Sequence, residues 1–330
     1  MALKFGILGA GHMAERMADT VRQMKDVELY AAASRTEEKA REFAERYGAV
    51  KYYGSYEALM EDAEVELIYI ATPNHLHYQQ ARTCIQHGKP VLLEKPFTLN
   101  ERQAQALIDL AEMHQVFLCE AMWVRFMPLM HQLKREIEKG RIGEVTAVTA
   151  DIGYDLREKE RLNRLDMGGG ALLDVGVYPV TFALQILGKE IDNISTSMVR
   201  MGSGVDAQEF VNLVYTNGAV AGLYATMLSN TDKQGKIYGT DGYIVVDDIN
   251  NYFCYRVYST KGELLETVER PEQISGLEYE VQACADALRN RRLECPQMSH
   301  GDTLFLMRVL DTVRRTWDMQ FPQEEAVQDF

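Results

Sequence analysis

The short, largely apolar run Lys4–Leu8 ends on Gly9-Ala10-Gly11-His12-Met13-Ala14. A G-x-G-x-x-A pattern constrains a fold only where it follows a strand and opens a helix. Here the spacing predicts both, with a helix running to about Met24. Gly9 then allows the tight turn, Gly11 lets the backbone approach a pyrophosphate, and Ala14 is small enough for the helix to pack on a sheet. The free N–H groups at the helix start, among them those of His12 and Met13, face the anion. The bland alternative is an ordinary strand-to-helix turn.

The next hundred or so residues support a dinucleotide-binding unit. Strands are predicted at Glu28–Ala33, Leu67–Ala71, Val91–Leu93 and Val116–Cys119. Helices are predicted at Thr36–Tyr47, with Thr36 as N-cap, from Ser55, at His75–His87 ending on Gly88, and at Asn100–His114. Strand and helix alternating at this spacing imply a Rossmann doubly wound parallel sheet over residues 1–122. Residues 123–330 read differently. A helix at Met130–Lys139, a strand at Glu144–Asp151 and an apolar segment at Ala171–Leu187 precede two hairpin signals. Asn217–Gly218 lies between Phe210–Tyr215 and Ala219–Met227, and Asp241–Gly242 between Lys236–Gly239 and Tyr243–Asp247. Helices at Leu277–Arg289 and Thr303–Met319 close the chain, giving an α+β domain with a mostly antiparallel sheet.

Composition removes several function classes. A formal net charge of −14 argues against nucleic acid or an anionic membrane as partner. No secretory signal is expected, and Leu67–Ala71, among the longest apolar runs, is far short of a membrane span. Five cysteines, Cys84, Cys119, Cys254, Cys284 and Cys295, form no C-x-x-C pair, so neither structural zinc nor disulfides are expected. His75, His77 and His87 lack a partner at ligand spacing, and no metal site is expected. These features point to the cytoplasm.

The end of the second strand separates NAD from NADP. An acidic residue about 20 positions past the glycines holds the ribose hydroxyls of NAD. Here the stretch reads Ala33-Ser34-Arg35-Thr36, with Lys39 one helical turn on. A hydroxyl and two cations suit a 2′-phosphate, so NADP(H) is favoured over NAD(H); the alternative is a solvated surface face. Ligands bind outside the carboxyl ends of parallel strands. Thr72-Pro73-Asn74, with His77 beyond, and Glu94-Lys95-Pro96 both fall at that edge and are expected to border the cofactor. A lysine there can bond a substrate hydroxyl and lower the pKa of a neighbouring acid, although a strand-end lysine alone is more often solvated.

These residues, with Gly168-Gly169-Gly170-Ala171-Leu172-Leu173-Asp174-Val175-Gly176-Val177-Tyr178, resemble the glucose-fructose oxidoreductase/inositol dehydrogenase (Gfo/Idh/MocA) family. The resemblance spans more than half the chain. It implies a Rossmann domain joined to a large open-faced sheet that builds a homo-oligomer, dimer or tetramer, with Lys95 beside the nicotinamide. Many members place histidine where this chain has Tyr178. Tyrosine there, with Glu120-Ala121-Met122-Trp123-Val124-Arg125-Phe126, is more similar to the dimeric dihydrodiol dehydrogenase and NADP-dependent xylose dehydrogenase branch. That likeness implies Tyr178 as acid/base, Lys95 tuning it, Asp174 supporting the site, and aromatic Trp123 and Tyr154 lining the substrate pocket.

The residues argue the same way independently. A phenol titrates near about 10, and a neighbouring ammonium favours its ionised form. In a helix, Asp174 and Tyr178 would share a face at i, i+4, with Pro179 able to distort the turn. A buried structural tyrosine is the alternative. The expected chemistry is hydride transfer to or from the CH–OH carbon of a sugar, polyol or trans-dihydrodiol. Tyr178 moves the proton, Lys95 steadies the oxyanion, and Asp174 orients Lys95 or substrate. Trp123 offers packing or a ring face, and Arg125 bonds to hydroxyls. Arg157, Arg161 and Arg164 alternate with Glu158, Glu160 and Asp166 and read as a solvated mixed loop. Competing readings are an NAD-dependent glycosidase of the same family and a non-catalytic dinucleotide-sensing regulator.

Overall fold

The structure, a computed structural model, describes residues 2–324. Strands β1 (Leu3–Leu8), β2 (Val27–Ala33), β3 (Lys51–Tyr53), β4 (Leu67–Ile70), β5 (Val91–Glu94) and β6 (Leu118–Ala121) form one parallel sheet. Every residue of β4 and β5 is buried, as both-sided helix cover requires. The crossovers are α1 (His12–Val21), α2 (Glu37–Tyr47), α3 (Tyr56–Glu61), α4 (His77–Gln86) and α5 (Glu101–His114). Polar caps begin three of them: Thr36 Oγ1 accepts from Lys39 N, Ser55 Oγ from Ala58 N, and Asn100 Oδ1 from Gln103 N. Each such cap contributes about 1 kcal/mol. β3, only Lys51-Tyr52-Tyr53, is too short to show a period in the sequence.

The strand order β3-β2-β1-β4-β5-β6 reverses between β1 and β4, the switch point where such sheets bind ligands. Register aligns the strand ends there. Leu8 pairs with Ala33 on one side and Ile70 on the other, and Ile70 pairs with Leu93. Gly9, Ser34 and Ala71 therefore leave the sheet along one edge, and Lys95 leaves it one residue further on, after Glu94 pairs with Ala121.

A second sheet has eight strands: β7 (Val145–Gly153), β8 (Ile191–Arg200), β9 (Asp206–Tyr215), β10 (Val220–Thr226), β11 (Gly235–Gly239), β12 (Gly242–Asp247), β13 (Cys254–Ser259) and β14 (Leu264–Glu269). Their order is β14-β13-β12-β11-β7-β10-β9-β8, antiparallel except for β7 with β10. The sequence pattern does not announce β8, β13 or β14. β8 is largely polar at an edge, and β14 keeps almost every residue exposed, so neither shows a buried stripe. The second hairpin turns on Thr240-Asp241, since Gly239 pairs with Gly242 and begins β12 one residue earlier than the Asp241–Gly242 expectation.

One face of this sheet packs under α7 (Val177–Leu187), burying Val148, Ala150, Ile152, Val211, Leu213 and Leu223. The opposite face is open and carries Phe210 stacked on Tyr224 at 4.7 Å and Tyr243 on Tyr258 at 4.8 Å. The stretch 165–187 is apolar and long enough to cross a membrane, yet 89% of its most apolar window is buried, as in a core helix. Helix α6 (Pro128–Glu138) precedes β7.

The chain forms two compact bodies: residues 2–123 with Gln273–Leu304, and Val124–Glu272 with residues 305–324. A single cut at 122/123 thus does not describe it, because the stretch with α8 (Glu278–Arg289) and the start of α9 (His300–Arg315) returns to the first body. The cause is the open edge of β6, whose backbone groups need partners. Leu118 N donates to Leu293 O at 2.9 Å, His300 Nε2 lies 2.9 Å from Leu118 O, and Thr303 Oγ1 donates to Glu120 Oε2.

Candidate active site

The glycine turn has the shape its sequence predicts. Gly9 holds φ at +112°, and a Cβ there would stand 2.7 Å from Ala71 O. Gly11 is extended and exposed, and a Cβ on it would meet nothing within 4 Å. No side chain caps α1, so its first N–H groups, including those of His12 and Met13, open onto that space. Ala14 is fully buried against the sheet. The donors and the open cradle fit a dinucleotide pyrophosphate. At the end of β2, Ser34 is buried, with its N–H donated to Tyr53 O, while Arg35 and Lys39 are exposed. The chain carries no carboxylate from Ala33 to Thr36.

Beyond β4, Thr72 and Pro73 are half-buried and Asn74 is buried in a short 3-10 turn. His77, expected at the cofactor, is fully buried instead. Its Nδ1 lies 2.8 Å from Pro96 O and its Nε2 2.9 Å from Thr72 O, so the ring ties the two edge turns together. Glu94 also faces inward: its carboxylate accepts from Tyr69 Oη and from Lys95 N. Burial raises the Glu94 carboxyl pKa, opposed by Lys95, Tyr69 and Arg16. Lys95 itself is half-buried directly after β5, and its bond to Pro96 is cis. Trp123 is buried under Arg16, whose guanidinium lies 5.3 Å from the ring centroid. That contact favours packing over an open ring face.

In the second body, Gly168-Gly169-Gly170 leads into a π-helical turn, Leu172–Gly176, that passes straight into α7. The turn is wider than the α-helical spacing assumed for Asp174 and Tyr178. Pro179 has no N–H to return to the preceding turn and its ring crowds the carbonyl four residues back, a recognised cause of such widening. Asp174 and Tyr178 are both buried. Asp174 Oδ1 accepts from Arg161 Nη2 at 2.9 Å, so a loop arginine, rather than Lys95 alone, must enter its account. Arg157 pairs with Asp155, and Arg164 with Asp166 and Glu160, as a mixed surface loop does.

Sequence reasoning misses two carboxyls beneath this turn. Asp206 Oδ2 accepts from Leu172 N at 2.6 Å, and Asp206 also blocks any side chain at Gly170, whose φ is +112°. Glu209 is buried with neither oxygen hydrogen-bonded, 2.7 Å from where a Gly176 Cβ would sit. Burial first, then Asp206, holds the Glu209 carboxyl well above its ordinary range. Only their position on β9, opposite the glycines, reveals them. Tyr154 is expected from its type to offer a flat apolar face. Lys233 Nζ lies 5.0 Å from its ring centroid, and its hydroxyl accepts from Asn250 Nδ2 at 3.1 Å. Arg125 is half-buried.

A Rossmann sheet with an anion cradle at its switch point, joined to a second α+β body, defines a dinucleotide-binding protein. Comparison with known proteins is specific. The GFO/IDH/MocA model described as an oxidoreductase family with an NAD-binding Rossmann fold matches residues 3–121, and the GFO/IDH/MocA C-terminal domain matches 130–245. The trans-1,2-dihydrobenzene-1,2-diol dehydrogenase of Danio rerio is 30% identical, covering 98% of this chain and 99% of its own. The scyllo-inositol 2-dehydrogenase (NADP(+)) of Bacillus subtilis is 29% identical over 98% of this chain and 100% of its own. In structure, a 3-ketoreductase from Actinomadura kijaniata, solved with NADP and TDP-benzene, superposes with a TM-score of 0.87 at 24% identity. It covers 96% of this chain and 98% of its own. The chain belongs to the GFO/IDH/MocA family of NAD(P)-dependent oxidoreductases.

Proposed function

We propose that this chain is an NADP(H)-dependent dehydrogenase or reductase acting on a CH–OH carbon of a sugar, polyol or trans-dihydrodiol. The observation that carries the reading is Lys95: it follows β5 directly, on the edge where Leu8, Ala33 and Ile70 end their strands in register, the same sheet edge as the anion cradle. The relatives' names support the substrate class, since a trans-dihydrodiol and an inositol both present a carbinol carbon next to a second hydroxyl. Ser34 and Arg35, with no acid beside them in the chain, support the 2′-phosphate of NADP, in line with the cofactor in the inositol enzyme's name.

Bound there, the nicotinamide supplies the hydride-carrying carbon. Gly11, His12 and Met13 would hold the pyrophosphate through backbone N–H groups, and Arg35 with Lys39 would hold the 2′-phosphate. Tyr178 takes the hydroxyl proton in the oxidative direction and returns it in the reductive one. Lys95 stabilises the developing oxyanion and favours the tyrosinate. Asp174, paired to Arg161, fixes the turn that carries Tyr178. Arg125 bonds to substrate hydroxyls, and Tyr154 borders them. Tyr178→Phe tests this: turnover should fall roughly 10²- to 10⁴-fold, the range for a lost acid/base, while NADPH affinity holds. Near-normal turnover would remove Tyr178 from the chemistry.

We also propose that two or more copies associate through the open face of the eight-stranded sheet, where Phe210 and Val220 stand exposed.

A further inference from the structure

Three sulfur atoms meet in the core of the first body. Cys119 comes from β6, Cys284 from α8, and Cys295 from the loop that bridges back to Met298. All three are buried, at 1%, 0% and 0% exposure. Their Sγ atoms all lie within 4.8 Å of one another, and those of Cys284 and Cys295 are 3.8 Å apart. The positions are far apart in sequence, so no spacing motif announces them. The family site at the sheet edge does not use them.

We propose that Cys119, Cys284 and Cys295 form a structural site for a soft d¹⁰ cation, zinc(II) in the first instance. Zinc–thiolate bonds of about 2.3 Å place sulfurs roughly 3.8–4.0 Å apart, the separation already present between Cys284 and Cys295. A set made of thiols selects zinc or copper(I) over magnesium or calcium. The divalent ion is favoured here because it neutralises more of the charge of three buried thiolates. Glu280 lies one helical turn before Cys284 on α8, buried with both carboxylate oxygens unpartnered; it stands outside the three-sulfur cluster and would need a side-chain shift to complete the set. Binding releases the thiol protons to solvent. The ion would fasten α8 and the Cys295 loop to β6, the contact that returns Gln273–Leu304 to the Rossmann body.

The test is the zinc content of the full chain, expressed with added zinc and purified with reductant but no chelator. About one zinc per chain is expected, as in a closed structural site. Cys119→Ala and Cys284→Ala should lose it, and Cys254→Ala, in the other body, should keep it. Because a buried alanine variant can fail to fold, the wild-type chain is also stripped with a strong chelator under reducing conditions. Its melting temperature should then fall and recover on zinc addition, since such binding contributes directly to folding. A zinc-free wild-type chain whose melting is indifferent to added zinc overturns the proposal. So does zinc retained by folded Cys119→Ala, or a Cys284–Cys295 disulfide in chain purified without reductant.

Discussion

Arg35 shows how much a single position can carry. It stands exposed after a strand whose last residues are buried, next to Ser34, in a stretch without a carboxylate from Ala33 to Thr36. If it holds a 2′-phosphate, Arg35→Ala should weaken NADP+ binding roughly 10- to 100-fold, the worth of a lost charge-assisted bond, and leave NAD+ nearly unchanged. Equal losses, measured by fluorescence titration with each cofactor, would misplace the phosphate. Other single positions depend on contacts the sequence does not display. His77 and Tyr154 have the right chemistry for ligand contact, yet His77 is enclosed between Thr72 O and Pro96 O and Tyr154 is partly covered by Lys233. A side chain's type sets what it can bond; its neighbours set what it does bond.

At the scale of elements, the π-helical turn ahead of α7 is where the proposed chemistry and the fold's stability meet. Its backbone is anchored by Asp206, and Glu209 is enclosed beneath Gly176 without a hydrogen-bond partner. A carboxyl whose folded pKa lies above its unfolded value keeps its proton in the native chain after the unfolded chain has lost it. Stability therefore declines as pH rises from the ordinary glutamate range toward the raised value, by about 1.4 kcal/mol per pH unit for one proton. Glu209→Gln should remove that contribution, flattening stability against pH and raising it on the alkaline side. Urea unfolding from about pH 5 to about pH 9 measures this slope; identical slopes in the two proteins would show that Glu209 ionises freely. Asp206, also raised by burial, remains in both.

At the scale of the whole molecule, the open sheet face raises the question of what covers it. Val211 and Leu213, the alternating apolar residues visible in sequence, face α7 and the core; the open side instead carries Phe210, Val220 and the Tyr243–Tyr258 stack. A period of two fixes alternation and leaves open which half of it is inside. Phe210→Asp should dissociate the proposed oligomer, lowering the sedimenting mass with little change in the melting of the separated chain, because Phe210 is 52% exposed there. An unchanged mass would put the contact elsewhere.

The parallel sheet, the glycine turn that opens α1 and the helix starts at Thr36, Ser55 and Asn100 were legible in residue order alone. Each is a local matter of backbone geometry and side-chain capping within a few residues. The two-body division, the return of Gln273–Leu304 to β6, the enclosure of His77, the pairing of Asp174 with Arg161 and the meeting of three cysteines were decided only by tertiary structure. Those features join residues tens to hundreds of positions apart, through edges and cavities that exist only after the sheets have formed, and no local periodicity records them.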